Sequence, residues 1–370
     1  MPVPMQAPSI ADALIASLND LGRLKMTENM SNYPNTVALK RIYKTGKAEG
    51  VSGIGPEFQF NIITDHNHSA RHVGLGYVSR PDIPNLLATG KMPFRHTHWE
   101  WAMERRLTAM NQGQARIVDE MKTQRDAALG SAILLFEQTL WTCPSLADFD
   151  LNPVGIPYFV VKSSTVPTYG AGGNRGFTGT VPSGYTLVAN INPSAAGTAG
   201  VNGRWKNWAA PYVNVTKEDL IYSMQDAQNY TDFMPLVAGI PTYEVGNDYG
   251  IYARYSVVKA IEAVLEGQNE NLGKDAAPMR NQAVFMRTKL TPVFQLDLDV
   301  DDPVYMINWS SMGCKYLSSE WMHETNFTSN PSQPTMMTNN TDCTWNMYCN
   351  DRRRQAVLSL GTSGSAAGEL

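Results

Sequence analysis

The sequence predicts an α+β protein of extended build, in which an arm, a long hairpin, one rod-like helix and an α/β segment are closed by returning strands. Three observations carry this. Residues 99–141 contain no proline and repeat apolar side chains at spacings of three, four and seven. Residues 38–80 alternate polar and apolar around glycine-rich turns, and residues 283–361 string short β-rich runs together.

Taken in order, residues 1–39 read as the arm. An apolar-periodic piece (Ile10, Leu14, Leu18, Leu21) precedes the polar stretch Met26–Asn35, too little apolar surface for a core, so the arm must pack on something else. Residues 40–78 read as a long hairpin, with strands expected at Val37–Leu39, Phe58–Ile63 and Val73–Tyr77 around the turn-rich centre Gly50–Pro56. A two-stranded hairpin is not stable alone in water, so it must lean on another surface, within the chain or between chains. Residues 79–155 contain the predicted helix over 99–141, with Thr97 as N-cap, Glu100 as its capping-box partner, and i,i+4 pairs at Arg116–Glu120 and Lys122–Asp126. Such a rod would be roughly 60 Å long, far beyond what a compact domain needs.

Residues 156–282 open on a strand-like run, Ile156–Val161, and pass through a Gly/Ser/Thr/Ala/Asn-rich surface loop to Arg204. Helices are expected at Thr216–Asn229, capped by Thr216, and at Tyr255–Asn269. In residues 283–361, strands are expected at Val284–Met286, Pro292–Leu298, Val304–Trp309, Cys343–Cys349 and Gln355–Leu360; residues 362–370 are small and polar and read as a flexible tail.

Composition excludes several classes. A chain of 370 residues with 43% hydrophobic and 17% charged residues is neither disordered nor a coiled coil. No run of 18 apolar residues occurs and no basic segment leads an apolar stretch at the start, so neither a membrane span nor a signal peptide is expected. The 30 Lys and Arg against 34 Asp and Glu leave a net charge of −4, a poor basis for gripping a phosphate backbone. Cys143, Cys314, Cys343 and Cys349 lack CxxC spacing and read as reduced structural thiols.

No catalytic signature stands out. Asp65, His66 and His68 suggest a metal-dependent hydrolase or nuclease, but the following Val73–Asn85 is broken by Gly and Pro where a nuclease finger needs a helix, so a polar loop is the preferred reading. His96 and His98 read as the entry to the long helix. Asp297, Asp299, Asp301 and Asp302 could meet a Ca²⁺ ion only in a loop; alternation with Leu296, Leu298 and Val300 favours a strand with an acidic wet face. Gly170–Gly179 lacks the strand and helix of a nucleotide loop, and Gly267 with Gly273-Lys274 misses the P-loop spacing. Arg352-Arg353-Arg354 reads as a solvated turn or an inter-subunit salt bridge rather than a nucleic-acid patch. The absence of catalytic motifs shifts weight toward a structural or binding role: no cofactor and no metal are expected.

The order of elements, together with Ser9–Gly22, Tyr249–Tyr252, Glu266–Gly273, Asp302–Trp309 and Asp351–Leu358, resembles the major capsid protein of tailed double-stranded-DNA bacteriophages, the Hong Kong 97-type fold. That resemblance implies a non-enzymatic subunit that assembles into the hexamers and pentamers of a shell around phage DNA. It assigns residues 1–39 to an N-arm, 40–78 to an extended loop, 79–155 to a peripheral domain with its spine helix, 156–282 to an axial domain, and 283–361 to strands returning mainly to the peripheral domain. It implies partners as well: other copies of the chain, a separate scaffolding protein, a portal, a decoration protein and weakly held packaged DNA, within a virion assembled in the bacterial cytoplasm. A tail or receptor-binding protein is the competing reading.

Charge fits the division. Residues 38–80 carry +3 and residues 205–280 carry −4, which favours docking one subunit's loop on another. Candidate interface residues on the loop side are Lys44, Lys47, Glu57, Phe58, Phe60, Arg71 and Arg80. Glu262, Glu266 and Glu270, spaced four apart, are the candidate acidic partners, and Arg352, Arg353 and Arg354 complete the set. Lys44 and Lys47 are also the lysines available for a covalent crosslink, for which no partner Asn or promoting carboxylate can be identified.

Overall fold

A computed structural model describes residues 36–361 except 45, 54, 64–70, 79–86, 107–113, 164–174, 194–204, 233–247, 267–283, 287 and 331–332. Residues 1–35 of the predicted N-arm, Asp65, His66, His68, Arg80, Glu270 and the tail therefore lie outside the described residues. Helix α1 (Val37–Lys44) replaces the strand expected at Val37–Leu39. The reason is tertiary: the buried Glu137 carboxylate accepts the backbone N–H groups of Val37, Ala38 and Leu39, each at 2.9 Å. A carboxylate there satisfies donors that a helix start leaves orphaned and faces the positive end of the helix dipole.

Strand β1 (Ala48–Val51) then runs parallel to Cys314–Leu317 near the C-terminus. The hairpin follows, but with a different second strand. Its strands are β2 (Glu57–Ile63) and β3 (Leu87–Pro93), in register from Glu57 opposite Pro93 to Ile63 opposite Leu87. Residues 73–77, expected to be that strand, are exposed and turn at Gly76, whose φ is +87°. Gly90 decides the pairing: a Cβ there would sit 2.4 Å from the Phe60 ring, so only glycine lets that ring lie across the neighbouring strand.

The helix expected from residue 99 begins later. Residues Arg95–Glu104 are strand β4, and the long helix α2 spans Gln114–Leu140, 27 residues or about 40 Å. Along β4, Thr97, Trp101 and Met103 are buried while His96, His98 and Glu100 are exposed, the two-residue period of a half-buried strand. Thr97 is thus no N-cap; its hydroxyl accepts the Trp345 indole N–H at 3.1 Å. The Ile156–Val161 run is also not a strand but a single turn, α3 (Ile156–Phe159), with Pro157 in its first turn. Gly155 is pressed against the end of α2, where a Cβ would meet three backbone carbonyls.

Beyond it come β5 (Gly176–Thr178), β6 (Asn207–Tyr212), a π-type turn at Lys217–Ile221, and α4 (Tyr222–Thr231). The Thr216 hydroxyl accepts the Asp219 N–H at 3.3 Å, the expected cap. Next are β7 (Tyr249–Ala253), α5 (Tyr255–Glu266), β8 (Val284–Phe285) and β9 (Thr288–Pro292). The predicted strand Pro292–Leu298 is instead a 3₁₀ turn, Phe294–Leu298. The chain closes with β10 (Val304–Asn308), β11 (Met312–Leu317), β12 (His323–Glu324), β13 (Thr328–Asn330), β14 (Gln333–Cys349) and β15 (Ala356–Leu360).

These strands form two main sheets. In one, the 17-residue β14 pairs with β4 along one edge and with β13, β12 and β11 in succession along the other, and β1 adds to β11. The second has the order β5-β6-β15-β10-β7-β9-β8. Its central strands are buried on both faces. Tyr252, Tyr305, Ile307 and Val357 join the core shared with α2 and the first sheet, whereas their neighbours Ile251, Val304, Met306, Ala356 and Leu358 pack under α4 and α5. Continuous apolar runs such as Val304–Ile307 are the sequence mark of that burial.

Glu137 also accepts the Trp141 indole N–H at 2.9 Å, so Glu137→Ala would orphan four donors inside the core. We expect this change to lower the unfolding free energy by about 3 kcal/mol or more, with Glu137→Gln losing less, read from denaturant midpoints.

Candidate assembly surfaces

The structure separates the candidate residues into buried and exposed sets. Phe58 and Phe60 are buried within their own chain: Phe58 packs on Phe94 with ring centroids 5.2 Å apart, and Phe60 lies 6.4 Å from Trp205 and from Tyr348. The base of the hairpin therefore leans on its own core, and these two rings are not available to a neighbouring subunit. Glu57 is exposed on β2, beside a cleft that also includes Arg95 and Asp150. Lys47 is half-buried and held by its backbone, its N–H donating to Ile42 O at 3.1 Å and its carbonyl accepting from Cys314 N at 2.9 Å. Lys44 ends α1, with its side chain outside what is described.

Arg71 is exposed, its guanidinium 5.2 Å from the Tyr77 ring. Around it, residues 71–78 stand in solvent: Leu75 is fully exposed and Val78 is 78% exposed. On α5, Glu262 is half-buried, while the Glu266 side chain is outside the described set.

The arginine triple is not a solvated turn. Arg352 is completely buried and donates to Phe159 O at 2.6 Å, Trp205 O at 3.1 Å and Asn207 Oδ1 at 2.9 Å, with its guanidinium 5.7 Å from the Trp205 ring. Burial pushes its pKa down to about 10, which leaves it charged at neutral pH. Arg354 is buried too, 3.6 Å from Asp351 and within 3.3 Å of the Ser310 hydroxyl. Arg353 alone is half-exposed, 5.5 Å from the Phe177 ring. Neither Arg352 nor Arg354 can reach another subunit. A run of three arginines carries no signal of this, because the carbonyls that neutralise Arg352 come from residues 145 to 193 positions away.

The acidic run is likewise spoken for. Lys162 Nζ lies 2.5 Å from Asp299 and 2.9 Å from Asp301, and Arg254 lies 2.8 Å from Asp302 and 3.4 Å from Asp297. Two cationic side chains occupy the place that a Ca²⁺ ion would need, so neither the ion nor the wet strand describes this segment. The +3 and −4 segments also meet within one chain, since Arg41 pairs with Asp248.

Sequence reading missed Glu137, although a lone acid within the apolar stripe Ile133, Phe136, Leu140 is a signal. Among the described residues no group of three His, Cys, Asp or Glu is arranged to hold a metal. Burial pushes the thiols up, Cys143 and Cys314 to about 12 and Cys343 to about 11, and raises Cys349 as well.

Two outcomes follow. Arg352→Met removes the donor to the buried Phe159 O and Trp205 O, while Asn207 Oδ1 still accepts from Val161 N–H, and is expected to lower the melting temperature of the subunit by several degrees, whereas Arg353→Met leaves it nearly unchanged, read by calorimetry before any assembly. At pH 8 the four native thiols should react with Ellman's reagent only slowly, and all four should react at once in denaturant.

No protein-family model matches the chain, and no curated protein matches it. Solved structures do. The capsid of cyanophage A-1(L) superposes with a TM-score of 0.55 at 11% identity, over 92% of this chain and 97% of that one. The capsid of the native GTA particle gives 0.53 at 11% identity, over 92% and 95%. The capsid of Myoviridae phage XM1 gives 0.51 at 9% identity, over 92% and 97%. At such identities the likeness speaks to the fold, and it runs nearly end to end: the chain has a tailed-phage capsid fold.

Proposed function

We propose that the chain is a major capsid protein: a non-enzymatic subunit of Hong Kong 97 type that assembles into hexamers and pentamers of a phage shell. The observation that carries this reading is the hairpin. Its base is packed on its own core through Phe58, Phe60 and Met92, yet the stretch beyond it presents Val73, Leu75, Tyr77 and Val78 to solvent. A lone apolar residue on a surface is ordinary, but four within six residues mark a contact surface. In a shell, a neighbouring copy covers them.

On this reading residues 1–39 are the arm, the segment through β2 and β3 is the extended loop, and the first sheet with α2 is the peripheral domain. The second sheet with α4 and α5 is the axial domain. Partners would be other copies of the chain, a scaffolding protein, a portal, a decoration protein and loosely held DNA, in a virion assembled in the host cytoplasm. The capsid structures of similar fold support the shell, and the pairing of Arg41 with Asp248 shifts loop docking from charge toward apolar and backbone contact.

The test is assembly. Joining Ile63 to Leu87 through Asn-Gly removes residues 64–86 while keeping the paired base. The shortened chain should melt cooperatively near the parent temperature and form no closed particles by negative-stain microscopy, where the parent forms them with its scaffold. Particles from the shortened chain would overturn the role given to the loop. A parent that stays monomeric at high concentration with scaffold present would overturn the shell itself.

Charge reversal at Lys44, Lys47 and Arg71 should raise the concentration needed for assembly only modestly, and less in high salt, because exposed pairs contribute about 0.2 to 1 kcal/mol each. Light scattering against protein concentration reads both effects.

A further inference from the structure

Strand β4 carries two histidines side by side. His96 and His98 are two residues apart on a strand, so both side chains leave the same face of the first sheet. It is the face turned away from α2, since Trp101 and Met103 on the other side share a buried cluster with Met121 of that helix. Both rings reach solvent, the His96 side chain 77% exposed and that of His98 51%.

Strand β14 fixes the hydrogens of both rings. His98 Nδ1 lies 2.6 Å from Asp342 Oδ1, its partner in register. A carboxylate only accepts, so Nδ1 carries the hydrogen and, in the neutral ring, Nε2 holds the lone pair. His96 Nδ1 lies 2.7 Å from the hydroxyl of Thr344, again its partner in register. That hydroxyl donates to Glu320 Oε2 at 2.5 Å; its hydrogen is spent there, so it accepts from His96 Nδ1. The two neighbouring rings therefore share one tautomer, each with Nδ1–H tied to β14 and Nε2 as the lone-pair nitrogen.

We propose that His96 and His98 form a two-histidine site for a divalent transition-metal ion of the Ni²⁺, Cu²⁺ or Zn²⁺ class, bound through both Nε2 atoms. Imidazole nitrogen suits these ions, and the arrangement behind the rings is the one that ligating histidines use: the second nitrogen donates to a carboxylate or a carboxylate-backed hydroxyl, which fixes the tautomer and makes Nε2 more basic. Successive outward side chains on a strand start about 7 Å apart. Exposed rings that pivot on their Nδ1 hydrogen bonds can close their Nε2 atoms to the about 4 Å that two metal–nitrogen bonds of about 2.0 to 2.1 Å span. Asp342 and Glu320 add negative charge beside the ion. Two protein ligands leave the remaining coordination positions to water, so this is an open surface site and not a closed structural one. The inference concerns the single chain and does not rest on the shell reading.

The test is Ni²⁺ binding by the full-length chain without an affinity tag, measured by titration calorimetry near neutral pH. The reference is a triple variant, His66→Ala, His68→Ala and His72→Ala, which removes the other closely spaced histidines. It is expected to bind one Ni²⁺ per chain. Adding Asp342→Ala, which takes away the carboxylate that holds His98, should weaken binding about 10- to 100-fold, and adding His98→Ala should weaken it further. His323→Ala, in register with Asp342 from the opposite side of β14, should leave the affinity unchanged. A second measurement needs no variant: in the unaltered chain, saturating Ni²⁺ should suppress acylation of His96 and His98 by diethyl pyrocarbonate, read by peptide mapping, and leave that of His323 as it was. No binding by the triple variant, an affinity unmoved by His98→Ala, a loss on His323→Ala equal to that on His98→Ala, or acylation of His96 and His98 indifferent to the metal would overturn the proposal.

Discussion

The two sheets are held at a fixed angle by two chain crossings that run side by side. Strand β10 of the second sheet leads into β11 of the first through Trp309–Ser311, and β14 of the first leads into β15 of the second through Asn350–Gln355. The crossings are stitched together by buried side chains. Gln355 accepts the Asn308 N–H at 2.8 Å and donates to Asn308 O at 3.0 Å and to the Ser311 hydroxyl at 2.8 Å, while Asn350 N–H donates to Ser311 O at 2.8 Å. Arg352, two residues beyond Asn350, ties the same corner to α3 and to the start of β6. Asn308, Ser311, Arg352 and Gln355 are all buried, so loosening one bond strands another group in an apolar core, and the corner is held as a unit. The relative setting of the sheets, and with it the positions of α2 and the hairpin base, follows from this corner.

From there burial falls off outward. The core around α2 shares Trp141, Tyr252, Tyr305 and Trp309 with the second sheet, with Trp141 and Tyr252 rings 5.4 Å apart and the Trp309 indole donating to the Tyr252 hydroxyl at 2.8 Å. Glu137 fastens the entering chain to this block, and Arg41 with Asp248 adds a second tie from α1 to the edge of β7. At the hairpin, side chains are buried at Phe58 and Met92 and exposed by Leu87, at the far end of the paired region. A body fixed at its centre with apolar surface at its extremities suits a unit that completes its packing only against other bodies.

How much of this the sequence discloses depends on where each residue's partners lie. Helices α4 and α5 and strands β10 and β15 are legible because their signals are local: a Thr216 cap, an apolar helical stripe, an uninterrupted Val304–Ile307 run. Strand β4 is hard to tell from helix because Trp99, Trp101 and Met103, spaced by two, precede a true helical pattern with no proline and only Gly113 between them, and pairing with β14 is what separates strand from helix. The second hairpin strand is hidden for the same reason: Val73–Tyr77 alternates as well as Leu87–Pro93 does and carries glycines of its own, so only the pairing itself, with Gly90 opposite Phe60, tells them apart. The arginine triple and the acidic run were misread because charge on paper implies solvent, whereas here Arg352 finds carbonyls and Asp299 finds Lys162 across more than a hundred residues of chain. Which loop residues face outward is not legible residue by residue, since burial of Phe58 and Phe60 is set by Tyr348 and Trp205 from distant parts of the sequence.

If the chain is the capsid subunit proposed above, its internal ion pairs limit what charge can contribute between copies. Several charges that look free in the sequence are committed internally: Arg41 to Asp248, Lys162 to Asp299 and Asp301, Arg254 to Asp297 and Asp302, Lys315 to Glu49. A subunit that pairs these ions within itself keeps its fold nearly independent of assembly and leaves less Coulombic attraction for its contacts. On the proposed reading those contacts would fall to exposed apolar groups such as Leu75 and Val78, whose contribution depends little on salt. Many weak, salt-tolerant contacts repeated around a closed shell let each one form reversibly while the whole holds, so a misplaced copy can leave before the shell closes.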